Sequence, residues 1–183
     1  LEDDFVGDLR YEGRVQPALK ALDRRGMVIF VGTFSKMLMP GLRVGYLVAD
    51  GPLYEALVNY KRVNDLTTSN VVQRALEAYI TVGRYQAHLR RACLVYRQRR
   101  NAMLRAIWQY LPPGYTLKSP QGGLFIWLGL REDLSVEELF PIACEEGVAF
   151  SPGYFYTVDG EKRNYMRLNF AVYKADVIET GIE

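Results

Sequence analysis

Short apolar runs alternate with long helical stripes along this chain. Residues 27–31, Met-Val-Ile-Phe-Val, form an unbroken apolar run rich in β-branched side chains, which predicts a strand buried on both faces. Gly32-Thr33-Phe34-Ser35-Lys36 follows, then a loop closed by Pro40-Gly41. Residues 42–48 read as a second strand that stops at Asp50-Gly51-Pro52. Leu53, Ala56, Leu57 and Tyr60 share one side of a helix over residues 53–63. Ser69 is placed to cap another helix over about residues 71–80, with Gly83 beyond its end. The longest periodic segment, residues 85–111, carries an apolar stripe from Tyr85 through Met103, Ile107 and Trp108 to Leu111. Pro112-Pro113-Gly114 stops it.

Beyond that stop the elements shorten. Residues 124–128, 148–150 and 166–170 are predicted strands, and Ser135 opens a helix running to about Glu146. The change of texture sets a boundary near Arg84, giving segments 1–84 and 85–183 with the long helix bridging two lobes. The expected class is α/β, with no internal repeat.

Composition narrows the picture further. Of 183 residues 49% are hydrophobic and 24% charged, which is ordinary for a globular chain. Lys and Arg number 23 against 21 Asp and Glu, a net charge of +2, which is a weaker basic excess than nucleic-acid-binding modules usually show. The arginines of the long helix (Arg84, Arg90, Arg91, Arg97, Arg99, Arg100 and Arg105) therefore read as a solvated or interdomain face. Apolar runs as short as 27–31 and 124–128 do not span a bilayer. One histidine and two distant cysteines exclude zinc-finger and His-rich metal sites, so no metal is expected, nor any disulfide framework. A reducing, cytoplasmic setting follows as the expectation. His88 is expected to be a hydrogen-bonded interface residue, Trp108 and Trp127 core or lobe-packing residues, and both cysteines buried fillers. The opening Leu1-Glu2-Asp3-Asp4-Phe5 places carboxylates where α/β proteins gather ligands, just past a strand. That strand would lie upstream of Leu1, so the chain is expected to be the C-terminal part of a longer protein.

The candidate chemistry centres on Lys36. A lysine directly after a buried strand, beside the Thr33 and Ser35 hydroxyls and seven residues before Arg43, is unusual for a hairpin loop. Lysine becomes a nucleophile when its amine loses its proton, and two hydroxyls with a forked guanidinium suit a phosphate dianion.

The run from Ser35 to Tyr46, Ser-Lys-Met-Leu-Met-Pro-Gly-Leu-Arg-Val-Gly-Tyr, resembles the lysine signature of fold-type I pyridoxal-phosphate (PLP) enzymes, the aspartate aminotransferase superfamily. The resemblance implies the C-terminal part of such a fold: part of the large-domain sheet in 1–84, then the bridging helix and a small α+β domain in 85–183. It implies PLP as cofactor, Lys36 as the lysine that forms aldimines with it, and Thr33, Ser35 and Arg43 as phosphate ligands. It further implies Asp3 as the carboxylate that keeps the pyridine nitrogen protonated. A tyrosine is expected two or three residues later, where this chain has Phe5 or Val6; Asp4 reads as structural. Arg167, in Arg167-Leu168-Asn169-Phe170, resembles the arginine that grips the substrate α-carboxylate, and Gly122-Gly123-Leu124-Phe125 resembles a turn facing the same site.

Glu2-Asp3-Asp4-Phe5, Leu9-Arg10-Tyr11, residues 17–23 and His88-Leu89-Arg90-Arg91 are similar to the aminotransferase-like domain of MocR regulators, of the GntR class. That likeness implies an amino-acid or amine effector, a homodimer, and DNA contact only through a winged-helix domain outside this chain. The alternative is the C-terminal half of a free-standing PLP-dependent aminotransferase.

Overall fold

A computed structural model of the chain describes residues 1–158 and 164–183. It forms two compact units, Leu1–Cys93 and Leu94–Glu183, with the division inside the longest helix.

The first unit holds a three-stranded sheet of β1 (Glu2–Asp4), β2 (Phe30–Thr33) and β3 (Gly45–Val48). Its helices are α1 (Leu19–Leu22), α2 (Gly51–Asp65), α3 (Asn70–Thr81) and the start of α4 (Arg84–Tyr110). β1 runs parallel to β2 and β3 antiparallel to it. The acids of the opening segment thus lie on a strand rather than past one. β2 starts three residues later than its apolar run because pairing begins at Phe30, opposite Glu2. Within β2 only Gly32 is buried, and all four residues of β3 are exposed. A strand that reads as core therefore lies largely open in this chain. Polar side chains fix the entry to β2. The Glu2 carboxylate accepts the N–H groups of Leu19 at 2.8 Å and Lys20 at 2.9 Å, satisfying donors at the start of α1. The Lys20 ammonium donates to the Val28 carbonyl and pairs with Asp50. The Asp23 carboxylate accepts from the Arg25 and Val28 amides, which hold its pKa below the ordinary value.

The second unit contains the rest of α4, then β4 (Thr116–Leu117), β5 (Phe125–Gly129), α5 (Val136–Glu145), β6 (Ser151–Pro152), β7 (Tyr165–Asn169) and α6 (Ala175–Ile182). The strands form an antiparallel sheet in the order β4-β5-β7-β6. Period-two alternation divides it: Ile126, Leu128, Met166 and Leu168 are buried, and Phe125, Trp127 and Arg167 occupy the other face. Leu124, Val136, Phe170, Ile178 and the α4 residues Ala102, Met103, Leu104, Ala106 and Ile107 complete the buried hydrophobic set.

Three expectations are corrected here. Trp108 is 60% exposed: Ile107 takes the buried position, and the next residue is rotated by about 100°. Arg100, read as part of a solvated or interdomain face, is buried and donates to the Pro120 carbonyl at 2.7 Å and the Asn101 side chain. Cys144 is exposed and Cys93 half-buried, so neither is a core filler.

Candidate functional site

The segment leaving β2 is shaped by its own backbone. The Phe34 carbonyl accepts the Leu38 and Met39 amides at 2.9 and 3.2 Å, closing a single helical turn around Lys36. The Phe34 amide donates back to the Val44 carbonyl, tying the loop's two ends. A 3-10 turn at Pro40–Leu42 follows, and Arg43 adopts the left-handed conformation at φ 51°, costly for a residue with a Cβ. Met37 and Val44 are buried anchors on either side.

Lys36 and Arg43, each directly before one of these anchors, are exposed, and among the described residues neither side chain has a hydrogen-bond or ion-pair partner. The same holds for the Ser35 hydroxyl. The Thr33 hydroxyl accepts the Ser35 amide at 3.1 Å and points its one proton toward the Val44 carbonyl over a long 3.5 Å contact, which a stronger anionic acceptor would outcompete. Two cations and two hydroxyls on one loop, balanced by no carboxylate on that loop, form a donor set suited to a phosphate and to a carbonyl able to condense with an amine.

Strand register separates the two acids. Asp3 pairs with Val31 and so shares a sheet face with Thr33, whereas Asp4 pairs with Gly32 and shares the opposite face with Tyr46. Asp4 is spent on the Gly7 amide at 2.6 Å, while Asp3 is exposed without a partner among the described residues. Phe5, with no hydroxyl, is 41% exposed.

The first turns of α4 support the loop. Tyr85 is buried, its ring meets Phe34 edge-on at 5.7 Å, and its hydroxyl donates to Asp8 at 3.3 Å. Burial, first, and the Asp8 charge push the Tyr85 phenol pKa well above the usual value. His88, one turn on, bonds the Met37 carbonyl at 3.0 Å. It is hydrogen-bonded as expected, although the sequence did not reveal its partner.

In the second unit Arg167 is half-buried on β7. Its guanidinium carbon lies 4.1 Å from the Phe125 ring centre and 4.7 Å from that of Tyr156, and Nη2 reaches the Ser151 hydroxyl at 3.4 Å. No carboxylate among the described residues pairs with it. The aromatic faces stabilise the cation without consuming its donor fork, a state ready for a carboxylate. Phe125 was marked by the Gly122–Phe125 turn; Tyr156 carried no sequence signal.

The profile of the family "Aminotransferase class I and II" matches residues 4–183. The chain belongs to this aminotransferase family. Aromatic-amino-acid aminotransferase 1 of Thermococcus litoralis is 35% identical across the whole chain, which covers 44% of that protein. The uncharacterized HTH-type transcriptional regulator YisV of Bacillus subtilis is 34% identical across the whole chain, which covers 37% of it. Among solved structures, Pyrococcus horikoshii kynurenine aminotransferase, in complex with PMP, superposes with a TM-score of 0.93 at 37% identity over 99% of this chain and 45% of that one. The chain thus spans less than half the length of these relatives. The aminotransferase family and its PMP-bound member indicate pyridoxal phosphate as the cofactor. The chain's resemblance to the fold-type I superfamily is borne out, and its relatives include both HTH-type regulators and aminotransferases.

Proposed function

We propose that this chain is a PLP-binding domain that takes an amino acid or amine as ligand, and that it serves as the effector-sensing domain of a MocR-type, GntR-class regulator. The observation that carries the PLP reading is the loop from Thr33 to Arg43. There an amine, a guanidinium and two hydroxyls stand together, and the amine, the guanidinium and the Ser35 hydroxyl are without partners among the described residues. The match to an HTH-type regulator over the full chain supports the sensing role. A second reading, the C-terminal half of a free-standing aminotransferase, is supported by the equally complete match to a Thermococcus enzyme.

When bound, the cofactor supplies an aldehyde and a conjugated ring that withdraws electrons. The Lys36 amine would be the covalent attachment point for that aldehyde and, when free, a base for the ligand α-proton. Arg43, Ser35 and Thr33 would hold the phosphate. Asp3, on the same sheet face as Thr33, would keep the ring nitrogen protonated. Arg167 grips the ligand α-carboxylate, with Phe125 and Tyr156 fixing its plane. DNA is contacted by a winged-helix domain outside these residues, and the protein acts as a cytoplasmic homodimer.

The test uses the full-length protein with PLP, a panel of amino acids and a keto-acid acceptor, following both keto-acid product and retention of an operator-containing DNA fragment. The sensor reading expects a ligand that shifts DNA affinity with little product. Steady product formation without any effect on DNA would establish the free-standing enzyme instead.

A further inference from the structure

We infer that His88 is a positioning residue for Lys36, holding the lysine-bearing turn through the peptide that follows it; this rests on the reading of Lys36 as the cofactor lysine. A carbonyl oxygen only accepts, so the 3.0 Å contact between His88 Nε2 and the Met37 oxygen makes Nε2 the donor. Met37 is the residue directly after Lys36 and is buried, so the bond reaches the lysine turn on its inner side. Three residues earlier on α4, Tyr85 packs edge-on against Phe34, two residues before Lys36. Positions i and i+3 share a helix face, so one face of α4 grips the turn on both sides of the lysine. Tyr85 is in turn anchored to Asp8.

The consequence is mechanical. The turn's own bonds, from Leu38 and Met39 to the Phe34 carbonyl, fix its local shape but do not tether it to the rest of the unit. His88 supplies such a tether from side chain to backbone. Without it the Lys36 amine samples a wider arc, and reactions that need a fixed approach slow steeply with loose placement.

The experiment compares wild type, His88→Phe and His88→Gln in the full-length holoprotein. Phenylalanine keeps the ring and removes the donor; glutamine restores an N–H near the position of Nε2. Three readouts are taken: the extent of borohydride trapping of PLP on Lys36 by peptide mapping, the rate of cofactor release, and hydrogen exchange at the Leu38 and Met39 amides relative to Ile107 and Ile126. Loss of one part-buried hydrogen bond predicts about tenfold faster cofactor release and exchange in His88→Phe. The Ile107 and Ile126 amides should be unchanged, and His88→Gln should recover most of the effect. If wild type is not trapped on Lys36, the reading of Lys36 itself falls. If wild type is trapped there and His88→Phe matches it, or if the mutant loosens the core amides equally and glutamine gives no recovery, the positioning role of His88 is overturned.

Discussion

In the proposed site, Arg167 would owe its preference for a carboxylate to what surrounds it. Two aromatic faces and a hydroxyl hold the guanidinium, and none of them offers a full negative charge. Arg167→Ala is therefore expected to weaken amino-acid binding roughly ten- to a hundredfold, the worth of a charge-assisted pair, and to leave PLP retention unchanged. Arg167→Lys should recover only part, because an ammonium lacks the planar fork. Spectral titration of the holoprotein with its amino acid measures both; unchanged affinity in Arg167→Ala would remove this residue from the site. Tyr85 gives a pH prediction. Its phenol pKa is raised, so as pH climbs past the ordinary 10.0 the unfolded chain loses this proton while the folded chain keeps it. Stability from this group is complete below 10.0 and declines as pH rises toward the folded value. Denaturant unfolding on either side of pH 10.0 should show a shallower alkaline decline in Tyr85→Phe than in wild type. The decline does not vanish, since the Tyr46 pKa is also raised, chiefly by burial.

The same tyrosine, Tyr46, decides a prediction for the sheet. A Cβ at Gly32 would clash with the Tyr46 ring carbon Cζ, and that ring is held against Phe30 and Phe34 at 6.0 and 5.6 Å. Gly32→Ala should destabilise by about 1–3 kcal/mol through overpacking, and adding Tyr46→Ala should cost less than the two changes separately. Chemical denaturation of the four variants gives the coupling; strict additivity would refute it. At this scale the long helices were legible in the sequence because 3.6-residue periodicity over many turns is hard to mimic: α2, α3, α4 and α5 fall where their stripes place them. Short elements were not. α1 has four residues and β4 two, too few for any period to show. α6, Ala175–Ile182, went unread although it is eight residues long. The second predicted strand lost its first three residues because Pro40-Gly41-Leu42 closes a 3-10 turn. The strand expected at 148–150 appears instead as Ser151–Pro152, where pairing with β7 actually occurs. The lysine loop and Arg167 each stand out in the sequence because their residue types come in recognisable order. The α4 contacts behind that loop do not, since they join residues more than fifty positions apart in sequence.

For the whole molecule, the open sheet of the first unit sets the behaviour of the chain by itself. β3 exposes Tyr46, Leu47 and Val48 by 46, 44 and 43%, and α2 exposes Tyr60 and Val63. The chain matches 44% and 37% of relatives that share its family. As an isolated 183-residue polypeptide it is expected to self-associate through this apolar surface and to show no sustained turnover with PLP, an amino acid and a keto acid. Light scattering and a product assay check this, and a monodisperse monomer turning over like the full-length protein would refute it. The central claim, that this is a PLP domain built on Lys36, faces its most direct test in one measurement. Full-length protein is loaded with PLP, reduced with borohydride, digested and mapped by mass spectrometry, alongside Lys36→Ala. The account predicts a phosphopyridoxyl group on the Lys36 peptide of the wild type and none in the variant. An adduct on Lys20 or Lys61, or an equal adduct in Lys36→Ala, would contradict it.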